Sequence, residues 1–178
     1  MERQIVLKLC IFGDGGVGKT TLSKRYLTGE FDSTVRITLG MEIHVKYLKV
    51  EGYNVALQIW DFGGEPQFRH LLKNYARGSF GGIFIYDITR MNTTLYIDEW
   101  LSIFKDTLGS EAPEVPILIV GGKSDLTEDR GVSGEEAKKL KNQFQFFDHL
   151  ECSAKTGENV DKIFEILIKE ILKIRGFT

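Results

Sequence analysis

The residues "GDGGVGKT", Gly13 to Thr20, follow directly on an apolar run, "QIVLKLCIF" at 4–12, and three motifs fit them at once. They satisfy Gly-x-Gly-x-x-Gly, the pattern of dinucleotide-binding turns and kinase lids, and also Gly-x-x-x-x-Gly-Lys-Thr, the phosphate-binding loop. A dinucleotide site wants an acid ending the second strand to hold a ribose, but the acids about 20 residues on, Glu30 and Asp32, fall in a polar loop. A protein kinase needs more chain and a His-Arg-Asp loop, and "HRD" occurs nowhere here. The Asp-Phe-Gly at 61–63 is therefore a decoy. The phosphate-loop reading accounts for the whole stretch. Gly15, Gly16, Val17 and Gly18 would turn backbone N–H groups onto phosphate oxygens at a helix N-terminus, where Thr21 also stands. Lys19 would bring a cation to the β and γ phosphates, and the Thr20 hydroxyl would ligate magnesium.

Outward from the loop, β-branched apolar runs stand at 4–12, 42–50, 54–62, 81–88, 115–122 and 146–153, which predicts six strands. "EGYN" at 51–54 has tight-turn composition, so the second and third strands should pair as an antiparallel hairpin. Helical patterns lie between the other runs. Val160, Ile163, Phe164, Leu167, Ile168, Ile171 and Leu172 recur three and four apart and draw one apolar stripe. "SGEE" opens a helix with a capping box from Ser133 to Glu136, and Thr93 to Leu108 supplies another with Leu95, Trp100, Ile103 and Phe104. Strands alternating with helices imply an α/β fold, a six-stranded mostly parallel sheet with helices on both faces, and ligands beyond the carboxyl ends of its strands.

The 178 residues predict one domain over 1–178, and 42% hydrophobic residues can furnish its core. A net charge of −2 favours neither nucleic acid nor an anionic membrane as partner. Two cysteines, Cys10 and Cys152, make no disulfide framework; both are read as structural thiols in a reducing, cytoplasmic setting. The first residues show no apolar signal segment, and "KIRGFT" at the end carries no cysteine. The expectation is no membrane anchor in this chain, with peripheral association only through a missing tail or a partner.

A bound magnesium triphosphate needs more oxygens and a sensor. Thr38, in "RITLG" before the second strand, would offer its hydroxyl to magnesium and its backbone to the γ phosphate; Asp61, ending the third strand, would hold a magnesium-bound water. With "GDGGVGKT", Thr38, "WDFGG", "GGKSD" and "ECSAKTG" in this order, the chain resembles a Ras-superfamily small GTPase, most like the Rab branch. The likeness runs from the first strand to the last helix. It implies the Ras-like fold, a GDP/GTP switch with Mg2+, two mobile switch loops, and protein partners: effectors, an exchange factor and a GTPase-activating protein. Rab relatives act in vesicle traffic, and a monomer is expected.

In the base site, the Asp125 carboxylate can accept from guanine N1–H and its 2-amino group, where adenine offers a lone pair and no amino group. A polar site of this kind can reject the wrong base by roughly 10⁴ to 10⁵. The Lys123 stem can lie along the base plane. The resemblance also implies the Ala154 N–H for guanine O6, with Ser153 and Lys155 shaping that loop, and Phe31 as a ring against the base. A core phenylalanine is the alternative for Phe31. Gly64 would serve the γ phosphate through its N–H, and bare Gly15 and Gly16 would leave room for water and a partner's arginine. Ile43, Trp60 and Tyr75 stand where Rab relatives present an apolar effector patch, though core packing explains the first two as well.

Two positions depart from the family. Its Asn-Lys-x-Asp is Gly122-Lys123-Ser124-Asp125 here, which removes an amide and predicts weaker binding by about 0.5 to 1.5 kcal/mol. Its Asp-x-x-Gly-Gln ends here in Glu65, followed by Pro66. Glutamine can accept from water and donate to phosphate, whereas ionised glutamate only accepts and adds negative charge beside an anionic triphosphate. Either Glu65 acts as base or water anchor, or it swings away; slow hydrolysis supported by Lys19, Gly64 and magnesium is the expectation. Arg36 is open between a cis contact to phosphate and a solvated loop residue. Two other readings of the chain remain: a GTP-loaded scaffold that hydrolyses negligibly, and a small P-loop kinase or ATPase, which Asp125 and "SAK" disfavour.

Overall fold

The computed structural model describes residues 3–34 and 36–177. Within them β1 (Arg3–Phe12), β2 (Met41–Val50), β3 (Tyr53–Phe62), β4 (Gly81–Asp87), β5 (Ile117–Gly122) and β6 (Asp148–Glu151) form one sheet in the order β2-β3-β1-β4-β5-β6. Only β2 and β3 run antiparallel. Val50 pairs with Tyr53 and leaves Glu51 and Gly52 as the turn, with φ of 50° and 81°. Two consecutive positive φ values are those of a type I′ hairpin, whose twist matches that of the strands.

Along β1 the side chains alternate between two cores. Leu7, Leu9 and Ile11 join the cluster under α1 (Lys19–Thr28) and α5 (Val160–Ile174). Cys10 and Phe12 join the one under α2 (Arg69–Tyr75), α3 (Ile97–Leu108) and α4 (Gly134–Gln143). The sheet is thus covered on both faces, as its apolar strands require. All seven residues of the α5 stripe are buried, and the Phe164 ring stacks on Tyr26 of α1 at 3.8 Å between centroids. Both cysteines are buried and free, and burial pushes each thiol up to about 12. No helix among the described residues is long and apolar enough to cross a membrane.

Three boundaries differ from the sequence reading by two residues or more, and at the first of them the fifth strand begins at Ile117, not 115. The third helix begins at Ile97, not Thr93; residues Met91–Thr94 form a 3-10 turn, and Leu95 is exposed rather than on the buried stripe. The cause is Thr93, whose hydroxyl donates to the Arg90 carbonyl at 2.7 Å and accepts from the Asp87 N–H at 3.0 Å. The sixth strand is only Asp148–Glu151, with Phe146 before it turned into the core. The capping box of α4 forms as expected: Ser133 accepts from the Glu136 N–H, and the Glu136 carboxylate from the Ser133 N–H at 2.7 Å. At one edge of the sheet β1, β4 and β5 end on Phe12, Asp87 and Gly122, each followed by a site loop.

Candidate functional site

Two adjoining cavities of about 260 Å³ each open at that edge and share Gly18, Thr21 and Lys123 in their walls. The first is lined by Gly15, Gly16, Lys19, Thr20, Thr38 and Gly64, among others. The loop between β1 and α1 reaches it by left-handed turns at Gly16 (φ 71°) and Gly18 (φ 105°), which a side chain would resist. Gly18 caps α1 without any side-chain acceptor, and no acid stands in the first turn. The helix end therefore keeps free N–H groups and positive dipole for an anion. Lys19 is buried, and its ammonium donates to the carbonyls of Gly13 at 2.9 Å and Asp14 at 2.7 Å. Burial lowers its pKa to about 8 against the pull of Asp61, Asp14 and Glu65.

Thr20, Thr38 and Asp61 meet behind this loop. The Thr20 hydroxyl donates to Asp61 Oδ2 and lies 2.5 Å from the Thr38 hydroxyl. The other carboxylate oxygen, Asp61 Oδ1, is buried with no partner among the described residues. Burial raises the Asp61 pKa to about 6 in spite of the Thr20 bond and Lys19. A buried carboxylate with an idle oxygen beside two hydroxyls is a hard-oxygen donor set, and it fits Mg2+, which takes few protein ligands and keeps waters.

The second cavity is lined by Val17, Phe31, Lys123, Asp125, Ala154 and Lys155, among others. Phe31 is 42% exposed and forms part of the wall, so the core alternative fails for it. Ser153 is buried and does not reach the cavity itself. Its hydroxyl donates to Asp125 Oδ1 at 2.6 Å and accepts from the Thr156 N–H, which fixes how the carboxylate faces inward. Lys123 adopts φ 65°, a costly conformation for a residue with a side chain. Its ammonium donates to the Gly16 carbonyl at 3.0 Å and pairs with Asp87 at 2.7 Å.

The Gly13–Thr20 loop and the loops that carry Asp125 and Ala154 thus face one continuous cleft, and comparison with known proteins gives the family of the chain. The model of the Ras family matches residues 8–173. The chain belongs to the Ras family. It is 38% identical over 168 residues to Ras-related protein RABA5b of Arabidopsis thaliana, covering 94% of this chain and 76% of that one. It is 32% identical over 173 residues to Ras-related protein RABA2a of the same plant, covering 97% and 78%. Both relatives place this Ras-family chain in the Rab branch.

Within that family frame, both departures acquire a geometry. Gly122 packs against the phosphate loop so closely that a Cβ would stand 2.9 Å from the Val17 carbonyl oxygen. An asparagine at 122 would therefore have to push the loop outward, so restoring the family amide is not a simple addition. Gly64 lies directly on the same loop: a Cβ there would come within 2.4 Å of the Gly15 nitrogen. Glu65 does not line the phosphate cavity. Its carboxylate folds over the bare Cα of Gly15, where a Cβ would be 2.3 Å from Oε1.

Arg36 lines the mouth of the phosphate cavity and is exposed, with no bond among the described residues. Ile43 and Tyr75 are exposed; Trp60 is half-buried, 6.3 Å from Tyr75 between ring centroids, with the Lys8 ammonium 3.9 Å over its ring. The sequence reading missed Asp14, whose carboxylate accepts from the Trp100 indole at 2.9 Å and pairs with Arg69 at 3.6 Å. It also missed Asp87 and Arg90, although an acid at the end of the fourth strand was the available signal.

Proposed function

We propose that this chain is a GDP/GTP switch that requires Mg2+ and hydrolyses GTP slowly, acting in Rab-like regulation of membrane traffic. The observation that carries the proposal is the single cleft with Lys19 and a free helix N-terminus at one end and the Ser153-oriented Asp125 at the other. Lys19 would exchange its bonds to two backbone carbonyls for bonds to the β and γ phosphates. Backbone N–H groups of Gly15 to Thr21 would hold the phosphate oxygens, and Asp125 would accept from the guanine N1–H and 2-amino groups. Thr20, Thr38 and Asp61 would hold Mg2+, which neutralises phosphate charge when bound. Thr38 stands on the loop before β2 and Gly64 on the one after β3, so loss of the γ phosphate would free both switch loops.

Glu65 supports the slow rate. A carboxylate folded onto Gly15 neither orients water with a donor nor relieves phosphate charge. The same observation favours a second reading, a GTP-loaded scaffold without useful hydrolysis. Effectors would dock at Ile43, Trp60 and Tyr75, with an exchange factor and an activating protein acting on the switch loops. Acid release and chromatography of the copurifying nucleotide, followed by single-turnover phosphate release, test both readings. Bound guanine nucleotide with slow, Mg2+-dependent phosphate release is expected. Bound GTP with no release favours the scaffold, and purified folded protein indifferent to GDP and GTP at millimolar level refutes the proposal.

A further inference from the structure

Asp87 ends β4 with its side chain fully buried, although no role in the cleft has been assigned to it. Four donors meet its two oxygens. The Thr89 N–H and hydroxyl reach Oδ1 at 2.9 and 2.7 Å, while Arg90 Nε and Lys123 Nζ reach Oδ2 at 3.0 and 2.7 Å. Burial alone would raise the carboxyl pKa, but the Lys123, Thr89 and Arg90 bonds outweigh it and hold it below its ordinary value. Both cations then continue to the phosphate loop. Arg90 Nη2 donates to the Gly15 carbonyl at 3.2 Å, and Lys123 Nζ to the Gly16 carbonyl at 3.0 Å.

One buried anion therefore ties two cations to consecutive carbonyls of the loop. It does so beside Gly122, where the Val17 carbonyl has closed to a distance that only glycine tolerates. We propose that Asp87 and Arg90 are positioning residues that brace the phosphate loop against the base loop, in place of the amide that Gly122 lacks. The inference rests on the nucleotide-switch reading above. The brace orients peptide units: with the Gly15 and Gly16 carbonyls drawn outward to the cations, the following N–H groups of Gly16 and Val17 are held in the sense needed to face the cleft.

The test is amide hydrogen exchange of the purified chain, parent against Arg90→Ala and Asp87→Asn, with GDP dissociation measured on the same samples. Arg90 is half-exposed, so its truncation should not unfold the protein, whereas Asp87→Asn risks it. Loss of one charge-assisted bond should speed exchange at Gly15, Gly16 and Val17 about tenfold in Arg90→Ala. Exchange in α5 should stay unchanged, and GDP should leave about tenfold faster. The double variant should be no worse than Asp87→Asn alone, because both act through one carboxylate. Loop exchange unchanged in Arg90→Ala, or accelerated equally in α5, overturns the brace. A parent chain that binds no GDP refutes the function proposed above, and exchange at the loop still decides the brace.

Discussion

Asp61 and Glu65 stand four residues apart and carry opposite demands. Burial holds the Asp61 pKa near 6, above its ordinary 3.8. The sign follows: without an ion this group adds stability below about pH 3.8 that is lost as pH rises through about 6. A divalent ion inverts the preference, because it binds the carboxylate form. Mg2+ affinity should therefore fall about tenfold between pH 7 and pH 5, measured by calorimetry on GDP-loaded protein; a flat profile would remove Asp61 from the ion site. At Glu65 the prediction is kinetic. Glu65→Gln supplies a donor and removes a negative charge, and a relief of only about 1.4 kcal/mol is tenfold in rate. Faster single-turnover hydrolysis than the parent is expected, and a rate at or below the parental one would show that the glutamate is already productive. Sequence set Asp61 at the end of the third strand beside Thr20 and Thr38, where it is found, but left open where the Glu65 side chain lies. The approach of the Glu65 carboxylate to Gly15 depends on two loops meeting.

At the scale of elements, local chemistry was readable wherever the partners are local. The "SGEE" box of α4 closes within four residues, and the turn between β2 and β3 was visible in the composition of 51–54, of which Glu51 and Gly52 form the turn itself. The start of α3 was not, because Thr93 spends its hydroxyl on Asp87 and Arg90 rather than on the helix. The α5 stripe was legible, but its partner was not. Phe164 stacks on Tyr26 of α1, the helix into which the phosphate loop runs, so packing here supports the site from below. Phe164→Ala should cost about 3–5 kcal/mol in urea unfolding, through lost contacts and the cavity left behind. Ser133→Ala, which breaks only the cap of α4, should cost about 1 kcal/mol. Equal losses would contradict this ranking of packing over capping.

For the molecule as a whole, the cleft joins the loops that follow β1, β3, β5 and β6 with the one that precedes β2, so ligand binding should stabilise that whole end of the sheet. A ligand at 100 times its dissociation constant adds about 2.7 kcal/mol to folding. GDP with Mg2+ should accordingly raise Tm by several degrees, and chelation with EDTA should reverse part of the gain; ATP at the same concentration should give none. The buried thiols make a complementary check. With both held near 12, Cys10 and Cys152 should resist a thiol reagent at pH 8 until the chain unfolds.

The alternation of strands and helices, the hairpin and the glycine loop before α1 were all set down in the sequence, because hydrophobic period, glycine placement and capping are properties of neighbours. The closure of Val17 on Gly122, the resting place of Glu65 and the bracing by Asp87 were decided only in three dimensions. They join residues as far apart as Arg90 and Gly15, 75 positions, or Lys123 and Gly16, 107 positions. No local pattern encodes such distances; they exist only after parallel crossovers have brought the ends of β1, β4 and β5 to one edge.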